Sequence, residues 1–160
     1  ILFLPSYGFE LKIFVNWILK NKKLLEDTFI NIKPYPYAWH QSQTKNISRL
    51  KNIPNVNISS DSLVNQIKSA DVVLFSTTSA GIEAMFYNCI VIHLKLFDLI
   101  NFDSMVNKKS PILSLSNIEE LEDCIVNRFG NINLNISEYI KNQNNYANDL
   151  FSKNKIDFIL

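Results

Sequence analysis

Cysteine is nearly absent from this sequence: Cys89 and Cys124 are the two it has, and both sit in apolar surroundings. That excludes a disulfide framework and reads as a pair of buried free thiols. An excess of either charge is missing too, with 16 Lys and Arg against 15 Asp and Glu, formal net charge +1. A protein that binds nucleic acid by neutralising phosphates carries a clear basic surplus, so no nucleic-acid partner is expected. No apolar run approaches the ~18 residues of a membrane span. Nothing resembles a signal peptide: Ile1-Leu2-Phe3-Leu4 has no basic region before it and no cleavage pattern after it, so a cytoplasmic setting is expected by default. No His, Cys, Asp or Glu grouping has the spacing of metal ligands, and no internal repeat or low-complexity tract stands out.

What remains is the composition of a folded domain, 47% hydrophobic and 19% charged over 160 residues. That length suits one core, burying about two-thirds of the unfolded chain's surface. The chain opens on an apolar strand-like run and not on Met, so the expectation is a piece of a longer protein.

Strand and helix patterns alternate. Ile1 to Leu4 reads as a strand and Pro5-Ser6-Tyr7-Gly8 as its exit turn. Phe9 to Lys20 carries Leu11, Phe14, Val15, Ile18 and Leu19 at helical spacing. Thr28 to Ile32 reads as a second strand, stopped by Lys33-Pro34-Tyr35-Pro36. Tyr37 to Lys51 is readable as a helix with Trp39, Ile47 and Leu50 inward. Val56 to Ile58 is a third strand. Ser59-Ser60-Asp61 offers caps for a helix with Leu63, Val64 and Ile67 as its stripe. After the central segment, Lys95 to Ser110 is a long connection, and Ile112 to Leu115 a further strand. Asn117 with Glu120 forms a capping box for a helix lined by Ile118, Leu121, Ile125 and Phe129, with Arg128 in its last turn and Gly130 as its stop. After the polar linker Asn131 to Asn135, Ser137 caps a final segment anchored by Ile140, Leu150 and Phe151. This alternation predicts an α/β fold: a doubly wound parallel sheet of about six strands with helices on both faces. Residues 1–130 form that domain, and 131–160 a carboxyl-terminal linker and helix.

The centre of the chain is Ala70 to Leu94. Val72 to Phe75 is short and wholly apolar, as strands buried on both faces are. Ser76 to Ser79 is a hydroxyl-rich turn, Ala80 to Tyr87 a helix with Ile82, Met85 and Phe86 on one face, and Ile90 to Leu94 the next strand. Ligands of such sheets bind beyond the carboxyl ends of the strands. Three turns share that edge: Ser6 to Gly8, Lys33 to Pro36 and Ser76 to Gly81. Thr77, Thr78 and Ser79 can hydrogen-bond a phosphate beside unpaired N–H groups at the helix start, with Ala80 and Gly81 opening the helix and Gly81 admitting close backbone approach. Each feature has a plainer reading: a cap with spare hydroxyls, and for Glu83 a carboxylate that complements the helix dipole.

Thr78-Ser79-Ala80-Gly81-Ile82-Glu83-Ala84-Met85, followed by Ile90-Val91-Ile92, resembles the nucleotide-sugar motif of glycosyltransferases built from two Rossmann-like domains (the GT-B architecture). Lys33-Pro34-Tyr35-Pro36 is similar to the Lys-Pro-His-Pro turn of capsule-polymer, sialyl- and polyol-phosphate transferases. The resemblance spans roughly Ile1 to Phe129. It implies the carboxyl-terminal, donor-binding half of a transferase in bacterial surface polysaccharide synthesis. The hydroxyl turn would hold the diphosphate and Glu83 the ribose; Ser6, Gly8, Lys33 and Tyr35 complete the implied donor site. The nucleotide-sugar is substrate, so no cofactor and no metal are implied. The further partners implied are an amino-terminal acceptor-binding domain of the same protein, which would hold any catalytic base, and peripheral inner-membrane association of the full-length enzyme. Two positions depart from the pattern. Asn88-Cys89-Ile90 stands where Gly-x-Pro is usual, and Asn tolerates the left-handed turn at a helix end. Tyr35 stands where His is common, and a phenol is a poor proton carrier near neutral pH.

Other polar residues read as structural: His93 within an apolar strand, Trp17 and Trp39 in packing, Asp98 and Asp103 as solvated loop acids; His40 has no firm reading. The alternatives are a nucleotide-sugar epimerase, which would need carboxylates or histidines poised at the sugar, and a non-catalytic flavodoxin-like or receiver-like binding module. A receiver would need an acidic cluster at the strand ends, where this chain has basic and hydroxyl side chains.

Overall fold

The computed structural model describes residues 1–23, 25–35, 41–96, 110–126 and 135–156. Six strands form, β1 (Leu2–Leu4), β2 (Ile30–Ile32), β3 (Val56–Ile58), β4 (Val72–Phe75), β5 (Ile90–Leu94) and β6 (Leu113–Leu115). They make one sheet in the order β3-β2-β1-β4-β5-β6, every pairing parallel. The helices are α1 (Gly8–Lys20), α2 (Gln41–Ser48), α3 (Leu63–Lys68), α4 (Ala80–Ala84), α5 (Glu119–Val126) and α6 (Ile136–Ile156). This is the doubly wound, Rossmann-like α/β arrangement, and its strand order reverses direction between β1 and β4.

The order follows from the strands' chemistry. β1, β4 and β5 are buried along their whole length and take the centre, while β3 is only half-buried and takes an edge. Successive residues point to opposite faces, so each central strand feeds two cores. Phe3, Leu74 and Ile92 pack with Leu11, Phe14, Val15 and Ile18 of α1 and with Leu121 and Cys124 of α5. Leu4, Val73, Phe75 and Val91 pack with Ile67 of α3, Ile82 and Ala84 of α4, and Ala147 of α6. Each large side chain buried in this way stabilises the fold by about 1.5–3 kcal/mol. Phe3 and Phe14 stack at 4.1 Å, locking α1 onto the sheet.

The differences from the sequence reading have local causes. β2 begins at Ile30 because Thr28 is still in the preceding turn, its N–H donating to the Leu25 carbonyl at 3.0 Å. The cap of α3 is Ser62, whose Oγ accepts from Asn65 N, and its inward stripe includes Gln66 while Val64 is 41% exposed. α4 stops at Ala84, short of Tyr87, and Phe86 lies exposed against the ring of Phe151. The cap of α6 is Asn135 rather than Ser137, its Oδ1 accepting from Glu138 N at 3.3 Å. The Asn117–Glu120 box is present, with Glu120 N donating to Asn117 Oδ1 at 2.9 Å and Ser116 N to Glu120 Oε2 at 2.9 Å. Trp39, His40, Asp98, Asp103, Arg128, Phe129 and Gly130 lie outside the described residues.

Of the expected apolar anchors of α6, Leu150 packs against the second core beside Ala147 while Phe151 is exposed, and polar side chains add to the hold. Gln143 is buried, its Nε2 donating to Val91 O at 2.7 Å and its Oε1 accepting from Val91 N at 3.3 Å. The Tyr139 hydroxyl donates to the same carbonyl at 3.0 Å and accepts from Leu113 N at 2.6 Å. Pairing of β5 with β6 begins only at Ile92 and Leu113. The two side chains therefore satisfy the stretch of β5 edge that β6 does not reach. Burial there pushes the Tyr139 phenol up to about 12, and burial alone pushes the Cys89 thiol up to about 11.

No described helix is long and apolar enough to cross a membrane.

Candidate functional site

At the carboxyl ends of the strands, where the order reverses, lies an open cavity of about 290 Å³. Leu4 and Pro5 after β1, Lys33, Pro34 and Tyr35 after β2, Leu63 of α3, and Thr78, Ser79, Ala80 and Glu83 after β4 line it. The chain thus brings six of the ten candidate residues, Lys33, Tyr35, Thr78, Ser79, Ala80 and Glu83, around one space. The other four, Ser6 and Gly8 at the start of α1 and Thr77 and Gly81 at the start of α4, do not line it.

The cavity has two chemical sides. Its floor is apolar, from Leu4, Pro5, Pro34 and Leu63. Its polar rim sets one ammonium, Lys33, and one carboxylate, Glu83, among the hydroxyls of Thr78, Ser79 and Tyr35. Glu83 is exposed, and Tyr35 is 52% exposed. Lys33 Nζ donates to the carbonyl oxygen of Asp61, joining the ends of β2 and β3. Asp61 is itself held, its Oδ2 accepting from Gln66 Nε2 at 3.1 Å and its N–H donating to Ser59 Oγ at 3.1 Å. A lysine tethered by one of its three donors keeps the others for a ligand.

The start of α4 differs from the expected row of open donors. Ala80 N donates to Thr78 Oγ1 at 3.2 Å, and the N–H groups of Gly81, Ile82 and Glu83 donate to the carbonyls of Thr78 and Ser79. The N–H groups of Thr77, Thr78 and Ser79 meet no acceptor among the described residues. The open donors thus lie in the turn, one step earlier than the helix. Gly81 serves packing: a Cβ there would lie 2.2 Å from Cγ of Phe75, so the ring fills the place a side chain would need.

Glu10 has no exposed surface at all, and the sequence reading missed it. Its Oε2 accepts from Ser6 N at 2.6 Å and Tyr7 N at 3.2 Å, and its Oε1 accepts from the Thr77 hydroxyl at 2.6 Å. Three donors and the start of α1 make burial of this carboxylate tolerable. Ser6 and Tyr7 follow β1, and Thr77 follows β4, so Glu10 ties together the two turns that flank the reversal point. A glutamate in the first turn was the available signal. Tyr7 at the cap position hid it, because capping boxes are sought behind Ser, Thr, Asp or Asn.

His93 is structural, as expected: its Nδ1 lies 2.9 Å from Ser114 Oγ and its ring packs at 5.2 Å from that of Phe75. Among the described residues no group of His, Cys, Asp and Glu could hold a metal ion. A larger groove of about 650 Å³ lies at the opposite, amino-terminal edge, lined by Ile1, Asp27, Asn31, Asp71 and Ile90 among others. Among the described residues it gathers no ammonium or guanidinium from any side chain. Compared with known proteins, the chain matches no protein-family model and no curated protein.

Proposed function

We propose that this chain is the donor-binding domain of a GT-B glycosyltransferase acting in bacterial surface polysaccharide synthesis, and that it binds a nucleotide-sugar. The observation that carries the reading is the meeting of the Lys33-Pro34-Tyr35 turn with Thr78, Ser79 and Glu83 around one cavity at the reversal point of a parallel sheet. Those two segments are 40 residues and more apart in sequence and were the two that resemble the transferase motifs. In this reading Lys33, the hydroxyls of Thr78 and Ser79 and the open N–H groups of their turn hold the diphosphate. The Glu83 carboxylate accepts hydrogen bonds from the ribose hydroxyls. As the glycosyl–oxygen bond breaks, negative charge grows on the departing phosphate, and the same donors stabilise it. The acceptor, and the base that takes its proton, belong to an amino-terminal domain that would close over the cavity.

Titration calorimetry with UDP, GDP, CDP and CMP tests this. At least one is expected to bind, and Glu83→Ala is expected to weaken it by about 1–3 kcal/mol through lost charged hydrogen bonds. Absence of binding by all four, or unchanged affinity in a folded Glu83→Ala protein, would count against the assignment of the site.

A further inference from the structure

Glu10 occupies a place where folds of this kind seat a ligand's anion. The turn after β1 opens α1, a helix of 13 residues, and the N–H groups there need an acceptor from outside the helix. Parallel α/β sheets use such a first turn to hold the pyrophosphate of a dinucleotide. Here the acceptor is the protein's own. Glu10 Oε2 accepts from Ser6 N at 2.6 Å and Tyr7 N at 3.2 Å, and Oε1 accepts from the Thr77 hydroxyl at 2.6 Å. These donors are its only partners among the described residues, and none is an ammonium or guanidinium. The carboxylate therefore has no cation in contact with it, and it has no surface exposed to water. Capping alone does not call for such a group. A capping box works with Gln as well as with Glu, and burying a charge costs more than burying an amide.

We infer that Glu10 is a specificity-determining residue: it fills the anion seat after β1 with a charge of the protein's own and so shuts that turn to phosphate. A phosphate arriving there finds the N–H groups of Ser6 and Tyr7 already engaged and meets a like charge. The cavity is laid out accordingly. Ser6 and Gly8 do not line it, whereas Thr78 and Ser79 of the turn after β4 do. That second turn has no such plug: its acid, Glu83, is exposed, and its carboxylate accepts from no N–H group among the described residues. Thr77 stands between the two, its hydroxyl given to Glu10 while those of Thr78 and Ser79 remain at the cavity. The turns that flank the reversal point thus have opposite tasks, one shut and one open. A dinucleotide, whose pyrophosphate needs the first turn, is excluded, and a mononucleotide held at the β4 turn is admitted. That admission rests on the nucleotide reading of the cavity; the closing of the β1 turn does not.

Titration of the isotope-labelled full chain with pyrophosphate, followed by NMR, tests it. The amide resonances of Ser6 and Tyr7 are read beside those of Thr78 and Ser79. In the native protein Ser6 and Tyr7 should stay unmoved. In Glu10→Ala they should move, with affinity at that turn raised about tenfold or more, since the freed N–H groups can take a charged acceptor. Glu10→Gln keeps the shape and an acceptor oxygen, so it preserves the fold should the alanine variant lose it. Without the charge it should still raise the affinity at Ser6 and Tyr7 about threefold or more. Thr77→Val leaves the carboxylate on both N–H groups and should leave them silent, which separates a filled seat from a loosened turn. Circular dichroism checks each variant's fold. The inference is overturned if Ser6 and Tyr7 move in the native protein, if no folded Glu10 variant gains binding there, or if Thr77→Val gains as much. Thr78 and Ser79 unmoved in the native protein would count against the nucleotide reading, while Ser6 and Tyr7 would still decide the role of Glu10.

Discussion

Tyr139 shows how a single hydroxyl can make stability depend on pH. Its phenol is pushed from 10.0 up to about 12 because the ionised form would be desolvated against β5 and β6. Below pH 10 the phenol is neutral in both folded and unfolded chains. Between 10 and 12 the unfolded chain ionises while the folded one must hold its proton, so stability falls by about 2–3 kcal/mol across that window. Cys89, raised from 9.0 to about 11, produces a similar loss beginning one unit lower. Denaturant unfolding at a series of alkaline pH values should show both phases. In Tyr139→Phe only the lower one should remain, with stability at neutral pH reduced by about 1 kcal/mol for the missing hydrogen bonds. An upper phase that persists in that variant would show that another group is responsible.

Elements differ in how plainly the sequence states them, and the reason is the kind of interaction that ends each one. β4 and β5 lie where their residues predict, since a run buried on both faces must be apolar throughout and its ends are abrupt; β3, a half-buried edge strand, lies where its alternation of Val56, Asn57 and Ile58 predicts. α1 and the box that opens α5 are similarly plain. α4 is shorter than its composition suggests because the chain must turn at Asn88 and Cys89 to reach β5. α6 was legible as a helix anchored by Leu150, but its polar grip was not: Gln143 and Tyr139 bind a strand's backbone, and polar side chains doing so leave no apolar period to read. The candidate site was legible as two turns. That they face each other depends on the sheet order, which no local pattern states. Gln143→Leu should strand the N–H of Val91, whose carbonyl keeps the Tyr139 hydroxyl, costing about 1–3 kcal/mol. Hydrogen exchange at the Val91 amide should then quicken more than at Val73 on β4; equal change at both would mean the helix is held by its apolar contacts instead.

In the whole molecule, Glu10 matters because of where it crosses. It binds the turn after β1 to the turn after β4, and between those strands the chain's winding changes direction. A double-mutant cycle of Glu10→Gln and Thr77→Val measures that link, and a coupling of about 1–3 kcal/mol in unfolding free energy is expected. Additive effects would mean that the two turns are independent. The tie has a consequence for any molecule entering the cavity. Thr78 and Ser79 follow directly on a residue already fastened to a buried anion, so their turn is shaped before a guest arrives. Little conformational freedom is left for binding to remove, and the cavity meets its ligand preorganised.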